Sequence, residues 1–459
     1  MHKQILAKLD EIRSELEQMS IDFWENPEIA FEEIHASNTL REYLKKNGFT
    51  IREIPNNPTS FVAEYGSGRP ILGITGEYDA LPKQSQKRAP KHEPDKTSED
   101  AGHGCGHNLL GVAGAGAAVA LRDIYDREGL TGTLRFYGCA AEETLAGKGM
   151  MAREGVFDDL DACLTWHPSF LNSLWNCSFL AMNSLKFRFK GIPAHAAAAP
   201  EAGRSALDAV ELMNVGANFM REHVTDPVRI HYTITNGGGL PNTVPADAEV
   251  WYYVRAPKRT EVRETTARLV KIAQGAALMT ETEMSYELLA GCYDVIPNQV
   301  LGELMVKNMK EIGGTEFDEA DYAYADQFTA QLSESARRSV MNTYFAPGGV
   351  EQRSLSDQVI LTEDRGKVMP GSTDVGDVSY ITPLAQITAA CWPVGVVAHA
   401  WMATACTGTS IGMKGMFFAA RTLALSIYDL FKNPDILADA RKEFKEIRGD
   451  EKYVSAFDE

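Results

Sequence analysis

Ile71-Leu72-Gly73-Ile74-Thr75-Gly76-Glu77-Tyr78-Asp79-Ala80-Leu81-Pro82 is the stretch that decides the fold. Its first six residues are apolar on both faces of an extended chain. That pattern belongs to a central strand of a sheet covered on two sides, not to one that faces water. Working outward, 61–65, 133–138 and 162–166 read as further strands. Helices are predicted over 2–25, where Ile5, Leu9, Ile12, Leu16 and Met19 recur at spacings of four and three, and over 32–46 and 108–122. Strands alternating with helices imply an α/β fold with a mainly parallel sheet and right-handed crossovers. In such sheets ligands gather beyond the carboxyl ends of the strands. Asp79, Glu143 and His167 each follow a predicted strand.

The pattern changes near residue 184. Strands over 185–190, 229–236, 248–255 and 284–289 alternate with helices over 205–222 and 260–277. This β-α-β-β-α-β order is a ferredoxin-like α+β unit. The expected organisation is therefore a catalytic domain of residues 1–183 and 297–459, with residues 184–296 inserted as a second domain. The stretch 313–370 reads as loop around one helix near 326–341. Residues 83–101 form a polar loop leading into Cys105, either a passive insertion or a lid over a site.

The 459 residues carry 45 Lys plus Arg against 63 Asp plus Glu, a net charge of −18. That balance argues against nucleic acid and anionic membranes as partners. A small anionic substrate would need a local Arg or Asn. No run of about eighteen apolar residues marks a spanning helix. The amphipathic N-terminus lacks a signal-peptide core, so a cytoplasmic location is expected. The seven cysteines are odd in number and contain no C-x-x-C, as expected of reduced thiols.

Only Cys105, in Gly104-Cys105-Gly106-His107-Asn108, has neighbours suited to a metal. Thiolate, imidazole and carboxylate are the ligands of a borderline-soft divalent ion such as zinc, with manganese an alternative for the His and carboxylate positions. The helix opening at Asn108 favours Cys105 as thiolate. Adjacent Glu142 and Glu143 can divide the work, one ligating and the other taking a proton from water. The bland reading of that pair is a solvated acidic turn. His167 and His399 complete the candidate set, although a lone His at a strand end is more often a core residue. Asp79 is a candidate partner for the second ring nitrogen of a ligating His. On the inserted domain, His195 could donate to an oxyanion. Asn242 and Arg255 there could hold a substrate carboxylate, and the turn at Gly371 and Ser372 could add backbone donors.

Six segments carry a resemblance. They are Asn26 to Glu33, Tyr78 to Pro82, Cys105-Gly106-His107, Ala141-Glu142-Glu143, His195-Ala196-Ala197 and Leu240-Pro241-Asn242. Together they resemble the dinuclear-metal aminoacylase and carboxypeptidase family, in its amidohydrolase branch. The resemblance implies two divalent metals, zinc or manganese, on Cys105, His107, Glu143, His167 and His399. It implies Glu142 as base, His195 as oxyanion donor, and residues 184–296 as a lid that dimerises. The implied assembly is a homodimer or a heteromer with a related subunit. Asn108, Tyr78 and Ala400-Trp401 depart from the common motifs. Those departures look like the sub-branch acting on p-aminobenzoyl-glutamate, so the implied activity is hydrolysis of N-acyl or N-aroyl amino acids. A dipeptidase, an auxin-conjugate hydrolase and a non-catalytic binding subunit are the rivals.

Overall fold

The computed structural model describes residues 1–458. Helices α1 (His2–Glu11), α2 (Arg13–Glu25) and α3 (Ile34–Lys46) precede strands β1 (Thr50–Glu53), β2 (Phe61–Ser67) and β3 (Ile71–Glu77). Then come α4 (His107–Tyr125), β4 (Gly132–Cys139), α5 (Gly147–Arg153), β5 (Ala162–Ser169) and β6 (Ser173–Trp175). With the distant strand Leu384–Ala390 they build a seven-stranded sheet in the order β1, β2, β4, β3, β5, Leu384–Ala390, β6. The four inner strands run parallel to their neighbours, and β1, β2 and β6 are antiparallel additions at the edges. Every residue of β3 is buried, as its two-faced apolar pattern demands. The small residues of α4 let that helix sit close to the sheet. A Cβ at Gly111 would lie 2.7 Å from the carbonyl oxygen of Glu77.

Three elements differ from expectation. The helix expected over 2–25 breaks at Ile12, whose φ of −90° and ψ of 4° interrupt the spiral while the apolar stripe continues through Leu16 and Met19. Strand β5 continues past Trp166 to Ser169 because Leu384–Ala390 pairs with it, Thr388 opposite His167. His167 therefore lies inside a strand. The single helix near 326–341 is two helices, Glu319–Thr329 and Glu334–Thr343. Each has its own cap, Asp318 for the first and Ser333 for the second.

The chain divides into two compact units. The first comprises residues 1–178, 296–369 and 378–453, and the second comprises 179–295, 370–377 and the last residues from 454. Segments 370–377 and 454 onward thus group with the second unit, although the sequence pattern had put them in the first. Tertiary contact joined them to it, and no local periodicity records that. The second unit is a four-stranded antiparallel sheet in the order Glu283–Cys292, Ala181–Lys190, Asp247–Ala256, Arg229–Asn236. Helices Ala206–Met220 and Arg259–Thr280 pack on it through a core that includes Phe187, Val250, Val254, Val210 and Leu269. Among the described residues, no helix is long and apolar enough to cross a membrane.

Candidate metal centre

Four chain segments of the first unit converge at the carboxyl end of its sheet. Cys105 lies in the turn that opens α4, and His107 is the first residue of that helix. Gly106 between them has φ +78°, and a Cβ there would meet Pro168 at 2.9 Å, so only glycine suits the turn. The loop bearing His399 is tied to it, since His399 N donates to Gly104 O at 2.8 Å. Gln84 Nε2 donates to His399 O at 3.1 Å. Glu142 and Glu143 follow β4 after Ala141, which has φ +55°. Leu145 and His399 also have positive φ. Such conformations cost a non-glycine residue on the order of 1–3 kcal/mol each and persist only where the surroundings impose them. At Ala141 the constraint is visible: its N–H donates to buried Glu33 Oε1 at 2.8 Å.

Cys105, His107 and His167 offer ligand atoms that all lie within 4.8 Å of one another, and so do Cys105, Glu143 and His399. Cys105 belongs to both sets, so one thiolate can bridge two ions. Its Sγ is 3.3 Å from His167 Nε2, and His399 Nε2 is 3.3 Å from Glu143 Oε2. The ring tautomers follow from the partners. His107 Nδ1 donates to Asp79 Oδ1 at 2.9 Å, and His167 Nδ1 donates to Pro168 O at 2.7 Å. In the neutral imidazoles both Nε2 atoms would then present lone pairs inward. Asp79 also accepts from Glu143 N at 2.8 Å through Oδ2. One buried carboxylate thus holds a member of each set. His107 Nε2 and Glu143 Oε1 are buried without a hydrogen-bond partner. Unmatched acceptors aimed into a thiolate–imidazole–carboxylate cluster are what a divalent cation requires. The side chain of His107 is fully buried and that of His399 is 53% exposed, so the cluster opens on the His399 side.

The electrostatics agree with that chemistry. Burial and Glu143 push the Cys105 thiol up, but His167 and His107 outweigh them and bring it down to about 6. Hydrogen bonds to Cys105 and Glu143 hold His399 up at about 11 against the cost of burial. Burial opposes ionisation of Glu143, yet His399 and His107 keep it below the ordinary carboxylate range. Burial, followed by the charge of Asp79, pushes Glu33 up to about 7.

His195, Asn242, Arg255, Gly371 and Ser372 belong to the second unit. In the second unit, His195 pairs across a β-bridge with Thr243, and Ala196 N donates to Asn242 O at 2.9 Å. His195 and Asn242 are therefore neighbours on an exposed loop pair. Arg255 is not with them. It lies on strand Asp247–Ala256 at the end away from that loop, eight residues from Asp247, or roughly 26 Å at about 3.3 Å per residue. Asn242 and Arg255 of one chain therefore cannot grip the same small carboxylate. Gly371 O accepts from Leu180 N at 2.9 Å, and Ser372 Oγ is buried without a partner. The 83–101 loop is fastened to the first unit. Arg88 lies 4.5 Å over the Trp24 ring, Gln331 Nε2 donates to Pro90 O at 2.8 Å, and His92 stacks on Trp401.

Sequence reasoning missed four residues at the centre. Glu77 was visible as an acid at a strand end, two residues before Asp79. Lys148 gave no signal, because a helical Lys reads as a solvated surface residue. Trp175, with its ring centroid 5.4 Å from that of His167, and Tyr344, stacked 6.4 Å from Trp175 at 13°, come from segments far apart in sequence.

Comparison with known proteins agrees with this geometry. Residues 181–280 match the peptidase dimerisation domain of the M20 family. The chain is 41% identical to one of the subunits of p-aminobenzoyl-glutamate hydrolase from Escherichia coli, over 94% of its own length and 92% of that protein's. It is 28% identical to the Xaa-Arg dipeptidase of Mus musculus, over 97% of this chain and 92% of that one. Its fold matches a dinuclear metal binding peptidase of the M20 family from Bacillus subtilis. The TM-score is 0.57 at 18% identity, covering 92% of this chain and 99% of the other. The chain belongs to the M20 peptidase family. It is a hydrolase that acts on amide bonds.

Proposed function

We propose that this chain is a two-metal amidohydrolase of N-acyl and N-aroyl amino acids, with p-aminobenzoyl-glutamate its model substrate. The observation that carries the reading is one cysteine, Cys105, shared by two ligand triads beside a buried acid, Glu142. Cys105, His107 and His167 would hold one divalent ion, and Cys105, Glu143 and His399 the other, zinc or manganese. Bound there, the ions supply the Lewis acidity that activates water and polarises the amide carbonyl. Glu142 takes the proton of the attacking water and returns it to the leaving nitrogen. Asp79 orients His107 and the Glu143 backbone, which fixes the turn that presents Glu142. Trp175 and Tyr344 offer stacked rings next to His167, a surface suited to an aroyl group.

The reading keeps His195 as donor to the developing oxyanion. It keeps Asn242, Gly371 and Ser372 as substrate contacts, and residues 184–296 as the domain that forms a homodimer or joins a related subunit. It places the enzyme in the cytoplasm, acting on a small substrate. The 28% identity to a dipeptidase over nearly the whole chain favours a second reading, cleavage of dipeptides. Comparing kcat/KM over aroyl-, acyl- and aminoacyl-amino acids separates the two.

Glu142→Gln is the test of mechanism. It should lower kcat by about 10²–10⁴-fold, the usual contribution of a general base, with two equivalents of metal retained. A wild-type rate in that variant would end the proposal.

A further inference from the structure

His107 Nδ1 is committed to Asp79, which leaves Nε2 as the ring atom that would bind a metal in the neutral imidazole. That atom is buried and has no hydrogen-bond partner. Facing it at 3.3 Å is Glu77 Oε2. Two acceptors held that close, away from water, repel unless a proton or a metal cation lies between them. The spacing matches the edge of a tetrahedron built on metal–ligand bonds of about 2.0–2.1 Å. It equals the 3.3 Å between Cys105 Sγ and His167 Nε2 and between Glu143 Oε2 and His399 Nε2. Glu77, His107 and Glu142 also offer ligand atoms within 4.8 Å of one another.

The geometry points to Glu77 as a sixth metal-binding side chain, ligating through Oε2 the ion held by His107. This rests on the two-ion reading above. Lys148 makes the role specific. Its Nζ lies 2.6 Å from Glu77 Oε1, its side chain is fully buried, and that of Glu77 is 3% exposed. The ammonium occupies one carboxylate oxygen and leaves the other to ligate alone. It also offsets the negative charge that a second carboxylate brings to a centre already holding Glu143 and a thiolate. Lys148 lies in α5 and Glu77 ends β3, so the pair is set by two elements of regular structure.

The test is a cobalt(II) titration of the chelator-stripped full-length chain, followed by d–d absorption and competition with a chelator. Wild type should bind two ions tightly. Glu77→Gln should weaken one of them by more than the roughly 10–100-fold that an orienting residue is worth, and should change the intensity of its d–d bands. Asp79→Asn is the yardstick for a purely orienting partner. If removing one charge of the buried pair prevents folding, Glu77→Gln with Lys148→Met removes both and is read in the same way. A loss no larger than that of Asp79→Asn, with an unaltered cobalt spectrum, overturns the assignment of Glu77 alone. A wild-type chain that takes up no cobalt overturns the two-ion centre itself.

Discussion

Replacing Glu33 by Gln should stabilise the chelator-treated chain above neutral pH. Glu33 is fully buried, and its Oε1 accepts from Ala141 N. Burial first, then the charge of Asp79, raises its pKa from 4.5 to about 7. The sign follows from proton counting. Between those two values the folded chain holds a proton that the unfolded chain has released, so stability falls as pH rises. The favourable contribution is complete below 4.5 and gone above 7. Two and a half pKa steps correspond to about 3 kcal/mol in all, and to about 2.5 kcal/mol between pH 5 and pH 8. Gln keeps an oxygen for the Ala141 amide and cannot ionise, so the variant loses this slope. Urea unfolding of both proteins at pH 5, 6, 7 and 8 gives the measurement. The difference in unfolding free energy should move in the variant's favour by about 2.5 kcal/mol across that range. Parallel pH profiles would show that Glu33 is already ionised in the folded chain, and the account of its burial would fail.

Asp79→Asn should weaken metal binding about 10–100-fold, because it removes the carboxylate that fixes both the His107 ring and the Glu143 amide; competition with a chelator reads it, and unchanged affinity would refute the orienting role. Trp175→Ala should lower kcat/KM for aroyl-amino acids about threefold to tenfold more than for acetyl-amino acids, the worth of one aromatic contact. Equal losses on both substrates would remove Trp175 from the binding surface.

The architecture was legible because it is written in periodicity. The two-faced apolar run of β3 required helices on both sides, and the alternation in Asp247–Ala256 required a one-faced sheet. Cys105, His107, Glu143, His167 and His399 stood out by residue type and by position at a strand end or in a glycine-rich loop, and the structure brings their ligand atoms together. Local pattern could not carry pairing between distant segments. Nothing near Trp166 announces that Leu384–Ala390 will extend β5 and hold His167 within a strand. Nothing in α5 distinguishes Lys148 from a surface lysine until β3 brings Glu77 to its ammonium. Nor does any spacing say that Asn242 lies in the loop before strand Asp247–Ala256 while Arg255 lies at the far end of that strand.

The chain by itself determined which residues could be buried and which side chains could bind a cation, because hydropathy and ligand chemistry are properties of single residues and short repeats. Only the tertiary structure decided which of those side chains face one another. That Cys105 lies in two clusters able to hold a metal, that Asp79 bonds one member of each, and that a lysine is buried against Glu77 all depend on packing between segments up to 295 residues apart along the chain, from Gly104 to His399, and distance in space is a property that no local stretch of sequence encodes.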